Sequence, residues 1–286
     1  MSETATPPPP ETLPSTTDAK AEALRSWMAS RGSVVVAYSG GVDSALVAAF
    51  AHDVLGERAL AVTAESESYP EQHRQMALDV ASAIGLRHEF IRTHELDRPE
   101  YRANPTNRCY YCKHELFSTL TRLASDRGFE TVVDGANADD RGDYRPGRDA
   151  AREFGVRSPL DEVGLTKADI RAIARERGLP TWDAPASACL SSRIPYHSAV
   201  TPEKLRTIEQ AERVLRDLGF RVFRVRHHDA VARVELARDE MLRALEPGVN
   251  ASLVSGIKAA GYQFVALDLQ GYRLGSLNEP IRLQPL

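Results

Sequence analysis

The chain has 286 residues, 42% of them hydrophobic and 27% charged, the balance of a globular protein with room for one large domain or two modest ones. Its net charge of −4 argues against a strongly basic nucleic-acid binder. No stretch is apolar enough to span a bilayer, and three cysteines without an export signal point to reduced thiols in the cytoplasm.

Residues 1–18 are rich in Pro, Thr, Ser and Glu, with no apolar core and no basic start, and read as a disordered tail rather than a signal peptide. A short amphipathic helix is expected over 19–31 and a buried strand over 33–38. That strand feeds Ser39-Gly40-Gly41-Val42-Asp43-Ser44, which opens into a helical pattern over 45–55. Strand, glycine turn and helix N-terminus together make an anion site, because the first backbone N–H groups of a helix lack intrahelical partners. Gly40 and Gly41 let the backbone approach a phosphate, and Ser39 and Ser44 add hydroxyl donors. Asp43 would repel bound phosphate unless a cation bridges them, which implies Mg²⁺. The run lacks the lysine of the Walker loop and the spacing of the dinucleotide fingerprint, and it resembles the pyrophosphate loop of N-type ATP pyrophosphatases. The plainer alternative is an ordinary strand-to-helix turn.

Further strands are expected over 60–64, 88–93 and 131–134, with helices over 71–84 and 113–127 and a polar loop over 104–111. Alternating strands and helices imply an α/β fold with a doubly wound parallel sheet over 19–200, whose ligands sit at the carboxyl ends of the strands. There residues 39–44, 65–69 and 135–143 should converge, with Asp139, Asp140 and Asp143 among them. A helix over 166–178 carries Thr166 as N-cap and Asp169 at N3. A second, smaller α+β unit is expected over 201–286: a helix from Pro202, a hairpin over 220–237, helices over 239–245 and 251–260, and a last strand over 262–269, in a ferredoxin-like arrangement.

Cys109 and Cys112 form Cys-x-x-Cys, and Cys189 lies in a Pro-bounded segment, 185–196. Three cysteines suit a [4Fe–4S] cluster with one iron left open, a zinc site completed by His114 is less natural, and a structural Cys109–Cys112 pair with Cys189 alone chemical is the third possibility. In the hairpin, Arg224 and Arg226 share one strand face, as do Arg233 and Glu235 on its partner. Two arginines on one face suit a nucleotide phosphate; cross-strand ion pairing is the competing use. His227 and His228 read as structural.

The runs 39–44, 107–113, 135–140, 143–147, 185–196, 224–228 and 232–235 together resemble the LarE family of ATP-dependent sulfurtransferases of nickel-pincer nucleotide biosynthesis. The resemblance covers essentially the whole chain after the tail. It implies ATP and Mg²⁺, a pyridinium-3,5-biscarboxylic acid mononucleotide as substrate, and a homo-oligomer. It implies Cys189 as either a sacrificed sulfur donor or a ligand, with Cys109 and Cys112, of a [4Fe–4S] cluster that ferries sulfide. Glu212 matches an acidic position of catalytic weight; Arg193, Arg224, Arg226 and Arg233 are candidates for substrate, and Asp43 and Glu235 for magnesium. His197 departs from the family, which usually has Gly there. A tRNA thiolase with the same loop, and a non-catalytic nucleotide or cluster carrier, are the alternative functions; nucleic acid is disfavoured by the net charge of −4.

Overall fold

The computed structural model describes residues 15–142, 146–185, 188–273 and 276. Most of the expected tail, Asp143 and the extreme C-terminus lie outside the described residues. The first helix, α1 (Thr17–Ala29), starts inside the stretch read as tail, because the Thr16 hydroxyl accepts from the Ala19 N–H and caps it there.

The chain then alternates through β1 (Val34–Ala37), α2 (Val42–Leu55), β2 (Ala59–Glu65), α3 (Glu71–Ile84), β3 (His88–Arg92), α4 (Pro99–Arg102), α5 (Arg108–Arg127) and β4 (Thr131–Val133). The short helices α6 (Gly147–Glu153) and α7 (Pro159–Glu162) lead to α8 (Lys167–Glu176), whose Thr166–Asp169 capping box forms as the sequence implies. The four strands are parallel in the order β3-β2-β1-β4. Side chains of β1 alternate between two cores: Val34 and Val36 pack with α1, α2, α3 and α8, while Val35 and Ala37 pack with Phe117, Leu120 and Ala151 of α5 and α6. Burial on both faces explains why β1 reads as an unbroken apolar run. The chain leaves β1 toward β2 but returns to its other side as β4, so the loops after β1 and β4 part above the sheet. This is the switch point where such sheets open a crevice.

The smaller unit holds α9 (Pro202–Asp217), β5 (Phe223–His228), β6 (Val231–Leu236), α10 (Pro247–Ala259) and β7 (Phe264–Leu267). Its sheet has order β5-β6-β7, antiparallel in the hairpin and parallel between β6 and β7. This three-stranded mixed sheet replaces the expected ferredoxin-like arrangement, because α10 crosses over and returns β7 parallel to β6. The helix expected over 239–245 is two short 3₁₀ turns, Arg238–Glu240 and Arg243–Leu245. Phe223, Val225, Ala232 and Val234 point into a core with α9 and α10, which turns Arg224, Arg226, Arg233 and Glu235 to the other face. A separate cluster of Leu96, Tyr101, Leu190, Ile194, Val200, Leu205 and Ile208 joins α4, the Cys189 segment and α9.

Candidate active site

The phosphate-loop geometry rests on Gly40. Its φ of +76° and its contact with Ala77 exclude a side chain, since a Cβ there would lie 2.9 Å from the Ala77 backbone nitrogen. Gly41 is extended and serves as N-cap of α2. The Ser44 hydroxyl accepts from the Ser39 N–H at 3.1 Å and donates to Gly41 O at 3.0 Å, holding the turn in shape before any ligand arrives. Gly135, after β4, packs against the same helix start, where a Cβ would lie 2.8 Å from the Ser44 nitrogen. Asp43, in the first turn of α2, pairs with Lys167 and accepts from Asn137 Nδ2 at 3.4 Å. Lys167 escaped sequence reasoning. The signal was present in its place at N1 of α8, whose backbone N–H donates to Asp139 at 2.8 Å beside the loop. Asp140 turns back to accept from the Asn137 N–H at 3.1 Å and is a turn residue.

One short segment joins this loop to the cysteines. Tyr69 Oη donates to Ser39 O at 3.1 Å, and the Leu190 N–H donates to Ser68 O at 2.9 Å. Cys109 and Cys112 lie in the first turn of α5, which begins at Arg108; the loop expected over 104–111 is therefore helical from 108 onward. The i, i+3 spacing puts both sulfurs on one side of the helix. All three cysteines are free thiols. Burial pushes the Cys112 thiol well up, and Glu95 and Cys189 add to it. Cys109 is exposed at the helix surface; the protein packed around it still raises its thiol, against the opposing pull of Arg108. Among the described residues no group of three His, Cys, Asp or Glu side chains is arranged to hold a metal ion.

The arginines divide into two groups. A cavity of about 50 Å³ between α3, α9 and β5 is lined by His73, Arg193, Glu212, Arg216, Arg221 and Arg224. Burial, then Arg193 and Arg224, push His73 down to about 4, so the positive charge here at neutral pH is guanidinium. Arg193 is 2% exposed. Its Nη1 donates to Ala188 O at 2.7 Å and Cys189 O at 2.9 Å, which staples the Cys189 loop. Its other donors make a forked pair with Glu212 at 2.9 and 3.0 Å. Burial opposes ionisation of Glu212, yet Arg193 outweighs it and holds the carboxyl below its ordinary range. Glu212 also accepts from the Val225 N–H at 3.1 Å. In this structure Glu212, with this set of donors, orients Arg193.

Arg226 does not face the cavity. It donates twice to Glu235 at 3.0 and 2.8 Å, to Ser192 O at 2.9 Å and to Ser276 Oγ at 2.9 Å. Arg233 bridges Asp268 at 2.7 Å and Glu235 at 3.3 Å. Glu235 is 0% exposed, with its remaining oxygen accepting from Ser276 Oγ at 2.8 Å. Without a ligand, Arg226, Arg233 and Glu235 are thus engaged with one another and with Asp268. Cross-strand ion pairing, the competing use, occupies all three, because the register sets Arg224 opposite Glu235 and Arg226 opposite Arg233. His227 hydrogen-bonds Tyr262 at 3.1 Å and is structural.

The NAD synthase family matches residues 18–104. An uncharacterised protein of Synechocystis sp. is 45% identical over 91% of this chain and 97% of its own length. The pyridinium-3,5-bisthiocarboxylic acid mononucleotide synthase of Lactiplantibacillus plantarum is 38% identical over 87% of this chain and 90% of its own length. An uncharacterised protein of Methanocaldococcus jannaschii is 28% identical over 84% of this chain.

Proposed function

Because this chain belongs to the family of pyridinium-3,5-bisthiocarboxylic acid mononucleotide synthases, the LarE family, we propose that it carries out their ATP-dependent sulfur transfer. Its substrate is then pyridinium-3,5-biscarboxylic acid mononucleotide, and its product the thiocarboxylate. The observation that carries the reading is the link between nucleotide loop and cysteine loop through Ser68 and Tyr69. Adenylation and sulfur attack must happen at one carbon, and this link brings their two machineries together.

The chemistry needs both. A carboxylate resists sulfur nucleophiles because oxide would have to leave. Its oxygen attacks the α-phosphorus of ATP, the α–β phosphoanhydride bond breaks, and pyrophosphate departs. Sulfur then attacks the acyl carbon, and the C–O bond to AMP breaks with its electron pair going to AMP. The start of α2, with Ser39, Gly40, Gly41 and Ser44, would stabilise the leaving pyrophosphate. Asp43 would hold Mg²⁺, which supplies charge neutralisation there. Lys167, now paired with Asp43, is the cation at hand for a phosphate oxygen. Arg224, with Arg193 behind it, would receive the substrate phosphate in the cavity.

Cys189 is the residue assigned to sulfur delivery. Cys109, Cys112 and Cys189 are the ligand set offered for a [4Fe–4S] cluster, which would supply sulfide when bound. The donors are right in kind, three unpaired thiols near one another. Their spacing in this structure is not that of a ligand set. The reaction is assigned to the cytoplasm, in a homo-oligomer, with 19–200 acting on ATP and 201–286 on substrate. No helix among the described residues is long and apolar enough to cross a membrane.

Pyrophosphate release measured with candidate acceptors tests the reading. Stimulation by the pyridinium dicarboxylate nucleotide is the expected result. Stimulation by tRNA instead would assign the chain to RNA thiolation, and stimulation by neither would make it a carrier.

A further inference from the structure

We propose that the buried pair Asn104–Arg108 is a positioning device that holds the Cys189 loop against the first turn of α5, setting Cys189 opposite Cys109 and Cys112. Asn104 is 0% exposed and has a φ of +53°, a left-handed conformation that Asn tolerates better than most residues. Its Nδ2 faces three carbonyls of the segment that follows Cys189: Ile194 O at 3.3 Å, Pro195 O at 2.8 Å and Ser198 O at 2.9 Å. Its own carbonyl accepts from the His197 N–H at 2.9 Å. On the other side, Asn104 Oδ1 accepts from Arg108 Nη1 at 2.5 Å, and the same Nη1 donates to Ser191 O at 2.8 Å. The Ser191 hydroxyl is itself held by Tyr101 Oη at 2.7 Å.

The pair therefore ties residues 191–198 to the residue that precedes Cys109. Arg108 is 4% exposed; it donates to Asn104 Oδ1 and Ser191 O, and the thiols of Cys109 and Cys189 lie beside it. A buried guanidinium is costly, and packing alone would be better served by an apolar side chain. What Arg108 Nη1 supplies instead is two directed bonds across a loop whose sulfur must meet a reacting carbon with little positional tolerance. The proposal rests on the sulfurtransferase reading for what the sulfurs do, but its geometry stands without it.

The test uses the full chain, reduced and metal-free, treated with a short bis-bromomethyl reagent that bridges neighbouring thiols. Tryptic mass spectrometry then gives the ratio of two bridges: Cys189 to the Cys109–Cys112 peptide, and Cys109 to Cys112 within it. The second bridge lies inside one helical turn and is the internal reference. Two variants are compared with the parent. Asn104→Gly keeps the left-handed backbone and removes only the amide; Arg108→Lys keeps the charge and loses the planar, longer side chain whose Nη1 bridges Asn104 Oδ1 and Ser191 O. ATP binding by equilibrium titration reports whether the nucleotide half remains folded. The expected result is a fall of about tenfold in the bridge ratio in each variant, the population change that follows from losing a charged hydrogen bond, with ATP affinity unchanged. A ratio within about twofold of the parent in both variants, smaller than a single lost hydrogen bond produces, overturns the proposal. So does a ratio that falls only in step with ATP affinity, which would mark general unfolding. If the parent bridges as expected but no acceptor stimulates pyrophosphate release, the functional reading fails while the positioning role stands.

Discussion

Asp43 is the only carboxylate in the phosphate loop itself, and its Lys167 partner balances it while no cation is bound. Asp43→Ala should abolish pyrophosphate release and leave the melting temperature nearly unchanged; turnover close to that of the parent would remove Asp43 from the ATP site. His73 gives a pH signature. In the folded chain it titrates near 4, against about 6.5 when unfolded. Between those values the unfolded chain binds more protons, so stability present above about 6.5 is lost as pH falls toward 4. His73→Gln should reduce that acid loss by about 1–3 kcal/mol, read from denaturant midpoints across the window. An identical pH profile would mean that His73 is solvated. His197, where the family usually has Gly, holds a φ of +66° and is exposed. The backbone of the Cys189 loop keeps the glycine-like conformation despite the side chain. His197→Gly should raise stability by about 0.5–1 kcal/mol, with no change in pyrophosphate release.

At the level of elements, the β5–β6 hairpin shows what spacing alone could not separate among its arginines. Period-two alternation shows that Arg224 and Arg226 share a face, but the two ends of that face meet different neighbours. Arg224 reaches the cavity beside α9 and packs over the Tyr272 ring at 5.1 Å, whereas Arg226 lies over Glu235 and under Ser192. Which end meets α9 is a tertiary fact. Arg226→Ala would leave Glu235 buried with one strong partner fewer and should cost about 3–5 kcal/mol in chemical denaturation. Arg224→Ala should cost little stability but weaken the pyridinium nucleotide by about tenfold or more, with ATP affinity unchanged. Equal destabilisation by both changes would mean that the two arginines share one structural role. The start of α5 makes the same point. Cys-Tyr-Tyr-Cys followed by Lys reads as polar loop, yet Tyr111 and Cys112 pack on the cluster around Tyr101 and Leu190, and that packing extends the helix back to Arg108.

For the whole molecule, the parallel sheet and its phosphate loop were legible because apolar strand runs and a glycine turn are local signals. The residues at 39–44, 65–69 and 135–140 converge at the switch point, as the alternation of elements implies. Less legible was what lies between distant segments: Lys167 on Asp43, Arg193 on Glu212, and Asn104 with Arg108 under the Cys189 loop. The first two pair residues distant in sequence; in the third the pair is local, and what it holds, residues 191–198, is distant. The central claim is that one chain both adenylates the carboxylate and replaces its oxygen by sulfur at the place where these segments meet. The most direct measurement is the mass of the pyridinium nucleotide after incubation with the reduced protein, ATP, Mg²⁺ and a sulfide source, together with the mass of the intact protein. The account predicts oxygen-for-sulfur exchange on the nucleotide, one pyrophosphate released per exchange, and none with Cys189→Ala. Pyrophosphate release with no sulfur in the nucleotide, or sulfur transfer undiminished in Cys189→Ala, would contradict it.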